Sequence, residues 1–289
     1  MSVTSKALVA TLALCGLGVA ACGGTSGGTG AGPAQDGGPA SGTASPASAL
    51  SAQTATPAPT APATGGSVPA EPLKGKVIVI DPGHNGQNYR HPAEINKQVD
   101  ILTEKKACDT TGTATNNGYS EAAFTWDVSQ RLAKILKSKG ATVKLTRQNN
   151  AGVGPCITER AAIGNKAHAD AAISIHGDGA PANGHGFHVI MPKKINGPVD
   201  PVVKASSKLG IAVRNAYKAG TGVAYSTYIG SQALDYRNDL GGLNLSTVPK
   251  IFIECGNMRN AGDAAKFQSP AFRQKAAVAL AGGLQNYLK

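Results

Sequence analysis

The chain has 289 residues, 41% hydrophobic and only 16% charged, with 28 Lys and Arg against 17 Asp and Glu, a formal net charge of +11. That length is ample for one well-buried core, and the basic excess favours anionic polymers or lipid head groups as neighbours. An export-type N-terminus and the lack of any recognisable nucleic-acid motif argue against a nucleic-acid partner.

Residues 1–22 read as a targeting segment: one charge, Lys6, precedes a mostly apolar run from Ala7 to Ala21. The run is too short to serve comfortably as a permanent span, so an export signal is expected. It ends in "VAAC", with two small residues directly before Cys22, which resembles a bacterial lipobox. On that reading Cys22 is lipidated and anchors the protein on the outer face of the cytoplasmic membrane, facing the periplasm or cell wall. An ordinary signal peptide cleaved nearby is the alternative. Residues 23–72 are dominated by Gly, Ala, Ser, Thr and Pro, with only Asp36 and Glu71 charged. Such a segment lacks the apolar side chains that offset ordering entropy, and a disordered tether is expected. Residues 73–289 are left for the folded domain.

Strand-like and helix-like stretches alternate in that domain. "KVIVI" from Lys76 is a continuous β-branched run, as in a strand covered on both faces, and it leads into Asp81, Pro82, Gly83 and His84. The polar stretch Asn85 to Gly118 interrupts the pattern as an inserted loop or hairpin. Tyr119 to Lys139 is a helix, with Ser120 as cap, an apolar stripe of Val128, Leu132 and Ile135, and Gly140 as its stop. "ATVKLTR" is a strand, "ITERAAIGNKAHA" a helix, and "AAISIH" another buried strand. "GFHVIM" is a strand, Asp200 to Lys218 a helix, and "KIFIE" a strand. The chain closes with a helix begun by Ser269 and Pro270. Strands separated by helices of this length predict an α/β fold, a mainly parallel sheet flanked by helices.

Three cysteines lie in the folded part. Cys108 and Cys156 occupy polar, turn-rich stretches, while Cys255 closes an apolar run and is expected to be buried. Three cysteines form at most one disulfide; these surroundings favour Cys108–Cys156, with free thiols as the alternative.

Sites in open α/β sheets form beyond the carboxyl ends of the strands. "VIVI" ends at Asp81 and His84, "AAISI" at His176 and Asp178, and "KIFI" at Glu254, while Glu121 begins the long helix. Two histidines and a glutamate match a catalytic zinc set with a position open for water, and Glu254 is placed to act as a base. Bland readings compete. A lone histidine after a strand is usually structural, and a glutamate at a helix start complements the dipole. A glutamate closing an apolar strand is harder to dismiss, because carboxylates are rarely buried without a task.

"VIDPGHNG", "SEAAF", "SIHGDG" and "FIECGNMRN" resemble, in order, the four motifs of the zinc-dependent N-acetylmuramoyl-L-alanine amidases of the amidase_3 type. The insertion "KKACDTTGTATNNGYSEAAFTWD", with "GVGPCITER" and "TYIG…LGGLNLSTVP", is most similar to the mycobacterial and related actinobacterial members. The resemblance covers residues 75–289. It implies a twisted, mainly parallel sheet flanked by helices, Zn2+ held by His84, Glu121 and His176, and Glu254 as the catalytic base. It implies hydrolysis of the amide between the lactyl group of N-acetylmuramic acid and L-alanine, so the partner is peptidoglycan or its muropeptides. It also implies a Cys108–Cys156 disulfide bracing the insertion. A monomer is expected.

Two letters depart from the family pattern: Asn85 replaces the usual second glycine, and Gly177 the usual alanine. Asp81 and Asp178 are candidates to orient the histidines from behind, though Asp81 equally suits the turn. Arg237 and Asn244 are candidate substrate contacts, with a surface arginine in a glycine-rich loop as the alternative. Asn260 matches a family asparagine with an expected structural role. His91, His168, His185 and His188 receive no role, solvated or strand-surface positions being expected for them. Two other functions compete. One is a non-catalytic muropeptide-binding lipoprotein that regulates other wall hydrolases. The other is a zinc carboxypeptidase, a class that typically uses HxxE where this chain has "HNGQ".

Overall fold

A computed structural model describes residues 71–289; the export segment, Cys22 and the tether up to residue 70 lie outside the described residues. Six strands form the main sheet: β1 (Val77–Pro82), β4 (Thr142–Leu145), β5 (Ala171–Asp178), β6 (His188–Pro192), β7 (Leu234–Arg237) and β8 (Lys250–Asn257), in the order β4-β1-β5-β8-β6-β7. The pairs β4–β1, β1–β5, β5–β8 and β6–β7 are parallel, and only β6–β8 is antiparallel. The expected α/β, mainly parallel architecture therefore holds. The antiparallel pair has one local consequence: β6 and β7 begin at the edge where β4, β1, β5 and β8 end.

The insertion holds a short helix, α1 (Pro92–Ile95), followed by a two-stranded hairpin of β2 (Gln98–Asp100) and β3 (Lys105–Ala107). The long helix α2 (Glu121–Ser138) starts at Ser120, whose side chain accepts a hydrogen bond from the Ala123 amide at 3.3 Å, so it is shorter at each end than predicted. Helix α3 (Ile157–Lys166) follows, then α4 (Val203–Thr221), which is preceded by a 3₁₀ turn at Asp200–Val202 and stopped by Gly222 at φ 75°. The pattern does not predict β7, α5 (Gly241–Asn244) or α6 (Ala261–Gln268), each too short to show a period. Asn260 caps α6, accepting from the Gly262 and Asp263 amides, the structural role expected of it. The last helix, α7 (Pro270–Leu288), is capped by Ser269 as predicted.

Ile78, Ile80, Ile173, Ile175, Ile251 and Ile253 are fully buried with Phe124, Val128, Leu132, Leu209, Val213 and Leu280 in one core. The small residues of α7 let α4 approach closely: a Cβ on Gly283 would lie 2.7 Å from the Val213 backbone. On the opposite sheet face Val79, Ala172 and Val248 pack with Ile163 of α3. Cys108 and Cys156 form a disulfide across 48 residues, and Cys255 is free and buried. A crosslink closing a loop of that size contributes about 2–4 kcal/mol. It also joins the base of the hairpin to the start of α3.

Candidate metal centre and active site

Strand β1 leaves the sheet through Pro82 and Gly83 into His84, whose φ of 57° is left-handed, a conformation His tolerates better than most residues. Gly83 is glycine for a steric reason: a Cβ there would collide with the His176 ring. A Cβ on Gly112, whose φ is 72°, would lie 2.7 Å from both Glu121 Oε2 and the His84 ring. Two glycines thus let the backbone close on the three side chains.

Those side chains converge. His84 Nε2 lies 3.3 Å from Glu121 Oε2, and His176 Nδ1 lies 2.9 Å from Glu121 Oε1. One ligand atom from each of the three lies within 4.8 Å of the others, and among the described residues no other His, Cys, Asp or Glu group does this. Burial alone would lower the His84 pKa, but the Glu121 and Asp109 carboxylates beside it push it up to about 10. Burial alone would raise Glu121, yet His84 and His176 hold it well below the usual carboxylate range.

Each ring is also held from behind, as metal-binding histidines generally are. His84 Nδ1 lies 3.1 Å from Asp109 Oδ1. His176 Nε2 lies 3.2 Å from Ser174 Oγ, which donates to Asp81 Oδ2 at 2.9 Å. Arg160, 4% exposed, donates to Asp81 Oδ1 at 2.9 Å, to Asp109 Oδ2 at 3.0 Å and to the Pro82 and His84 carbonyls. The disulfide stands beside this arrangement, since Cys108 precedes Asp109 and Cys156 directly precedes the helix that carries Arg160.

Glu254 sits on β8 level with His176 on β5. Its Oε2 is buried without a hydrogen-bond partner among the described residues. Burial first, then repulsion from Glu121 and Asp178, pushes its pKa well above the usual carboxylate range. All four residues line one cleft of about 430 Å³ with Asp109, Ile190, Arg237 and Phe252. Phe252 stacks on the His176 ring at 5.2 Å and 14°.

A divalent ion fits this donor set: two imidazoles and one anionic carboxylate aimed at a common point, rings fixed by outer partners, one side open to the cleft.

A family model described as N-acetylmuramoyl-L-alanine amidase matches residues 78–286. The chain belongs to that amidase family. The chain is 40% identical over 219 residues to the N-acetylmuramoyl-L-alanine amidase Rv3717 of Mycobacterium tuberculosis, covering 75% of this chain and 88% of that protein. It is similar in structure to the amidase Ami1 of Mycobacterium smegmatis, with a TM-score of 0.71 and 38% identity over 75% of this chain and 98% of that one. Ami1 of Mycobacterium abscessus gives a TM-score of 0.69 and 41% identity over 75% and 100% of the two chains.

Within the amidase frame the two departures have local explanations. Asn85 is buried, its Oδ1 accepts the Gly86 amide at 2.8 Å, and its φ is not positive, so the position makes no demand for glycine. The left-handed residue of this turn is His84. At Gly177 a Cβ would meet Phe267 at 3.0 Å and Met258 at 3.2 Å, so bulk from these neighbours takes the place of the alanine methyl.

Several expectations about supporting residues need correction. Asp178 orients neither histidine: its Oδ1 accepts the Gly179 amide at 2.6 Å, and its charge acts on Glu254, Tyr228 and His188. Asp81 reaches His176 only through Ser174; its own partners are Thr146, Ser174, Arg160 and Lys250. Asn244 is fully buried, donating to the Ile101 and Asn238 carbonyls and to Thr103, so it shapes the loop and does not face substrate. Arg237 does line the cleft, held by Asp239 through two bonds of 2.8 and 2.7 Å. His91, His168 and His185 are exposed, as expected, but His188 is 1% exposed.

Sequence reasoning does not single out Asp109, Arg160, Ser174 or His188. Only Arg160 leaves a trace in the sequence, an arginine one turn before Gly164 on the small-residue face of α3.

Proposed function

We propose that this amidase hydrolyses the bond between the lactyl group of N-acetylmuramic acid and the L-alanine of the stem peptide, with zinc held by His84, Glu121 and His176. The observation that carries the reading is a buried, unpartnered Glu254 carboxylate oxygen in the same cleft as the three-residue donor set. Bound there, zinc would supply Lewis acidity, polarising a carbonyl and lowering the pKa of water toward neutrality. Glu254 takes the proton from the attacking water and passes it to the leaving amine of L-alanine. Its surroundings suit that task, because burial and the charges of Glu121 and Asp178 raise the carboxylate's affinity for a proton. Asp109 and Ser174 fix the two rings, so the donor atoms keep their directions while the cleft fills. Ile190 and Phe252 give that cleft an apolar wall.

Digestion of purified muropeptides followed by mass spectrometry tests the reading. Release of intact stem peptides is expected, with one zinc per chain and loss of activity in a chelator that added zinc reverses. Loss of a single terminal residue would identify a carboxypeptidase instead. Stoichiometric zinc with no cleavage of any muropeptide would favour a binding protein.

We also propose that Cys22 carries a lipid that holds the enzyme at the outer membrane face, with residues 23–72 as the tether. Cys22→Ala is expected to move the protein from the membrane fraction to the soluble fraction; unchanged fractionation would remove Cys22 as the anchor.

A further inference from the structure

Strand β6 runs against β8, and its first residue, His188, stands directly across from Glu254. On the other side of β8, Glu254 is level with His176. Residues paired in this way project from the same sheet face, with Cβ atoms about 4.5–5.5 Å apart. His188 therefore flanks the proposed base on the side away from the metal ligands.

His188 is 1% exposed and its Nδ1 has no hydrogen-bond partner among the described residues, the same condition as Glu254 Oε2. One neighbour shares it: among the described residues Asp235 Oδ2 is also buried without a partner. Tyr228 stands edge-on to the His188 ring at 5.9 Å and 89°. Buried polar atoms nearly always have partners, so three unpartnered ones on the adjacent strands β8, β6 and β7 point to a task. A second metal is not that task, because among the described residues only His84, Glu121 and His176 bring ligand atoms within 4.8 Å of one another. Burial holds His188 below its usual pKa, although Asp178 and Asp235 pull the other way. A neutral imidazole offers one N–H donor and one acceptor, and the adjacent unpartnered oxygen on Glu254 is an acceptor.

We propose that His188 is the positioning residue for Glu254: the two stand across one strand pair without bonding in this structure, and in the working enzyme Nδ1–H donates to Oε2, holding the other carboxylate oxygen toward the reacting water. This rests on the amidase reading above. A misdirected base loses alignment with the water it must deprotonate, so the effect falls on turnover and spares binding. Misplacement by about 1 Å costs on the order of a hundredfold in rate.

Two measurements test it on the full zinc-loaded chain. In steady-state kinetics with a muropeptide, His188→Phe is expected to lower kcat by about tenfold to a hundredfold, with KM and zinc content within about twofold of wild type. His188→Asn, whose amide nitrogen stands near the Nδ1 position, is expected to recover most of that loss. A kcat for His188→Phe within twofold of wild type, or a raised KM with kcat kept, would overturn the proposal. The second measurement needs no activity and no stable His188 variant: the 15N signal of His188 Nδ1 is compared in wild type and Glu254→Ala. A shift toward the value of a free imidazole is expected, and an unmoved signal overturns the pairing. Wild-type protein that releases no stem peptide would overturn the amidase reading, while the nitrogen signal still decides whether the two side chains are paired.

Discussion

Glu254→Gln is expected to keep the fold and bind zinc while lowering kcat by about 10²- to 10⁴-fold, the range spanned by general acid–base catalysis. The substitution keeps the shape and removes the charge and the ability to take a proton. The donor atoms that would hold the metal belong to His84, Glu121 and His176, and their outer partners are Asp109 and Ser174, so none of that arrangement passes through Glu254. Stability should not fall, since Glu254 forms no ion pair among the described residues and is repelled by Glu121 and Asp178. The check is kcat on a defined muropeptide beside zinc content and the midpoint of thermal unfolding. Full activity with zinc bound would place the base elsewhere. Loss of zinc would mean that Glu254 is itself a ligand.

The residues of the proposed site were readable because parallel strands deliver their carboxyl ends to one edge. "VIVI" and "AAISI" fall on adjacent strands, and β8 lies next to β5, so His84, His176 and Glu254 reach one edge together. Glu121 was readable from the cap at Ser120 that starts its helix. What supports them was less legible, for identifiable reasons. Asp178 follows a register shift: His176 pairs with Glu254, but Asp178 pairs with Asn257, which leaves an extra residue on β8. Such a bulge re-aims side chains, which the motif letters do not show. His188 was invisible because the reading followed strand ends, and β6 enters the site by its beginning. Asp109 and Arg160 lie far apart in the sequence and meet through the disulfide and the docking of α3. Asn244 misled because a glycine-rich loop reads as surface; in the structure Gly241, Gly242, Leu243 and Asn244 are all buried.

Asp81→Asn is expected to destabilise the protein by about 3–5 kcal/mol, the cost of removing one partner from a buried ion pair. Asp81 is 2% exposed and its carboxylate faces two buried cations, Arg160 at 2.9 Å and Lys250 at 3.0 Å, with Thr146 donating at 2.7 Å. Burial alone would raise its pKa, but Lys250 and Arg160 reverse that and hold it far below the usual carboxylate range. A carboxyl depressed in the folded state contributes stability that is fully present above its unfolded pKa, about 3.9, and is lost as pH falls toward the folded value. The wild type should therefore lose stability steeply below about pH 4, and Asp81→Asn should show a flatter curve from a lower starting point. Urea unfolding at several pH values measures both.

Much of the cost should come from the cations left behind. Arg160 keeps Asp109, 3.0 Å away, whereas Lys250 has no other carboxylate within salt-bridge distance among the described residues. Asp81→Asn combined with Lys250→Met removes the stranded charge and should recover a large part of the loss. If the double variant is no more stable than the single one, the cost lies in the Thr146 and Ser174 hydrogen bonds. The fastening of His176 through Ser174 would then matter more to the fold than the ion pair beneath it.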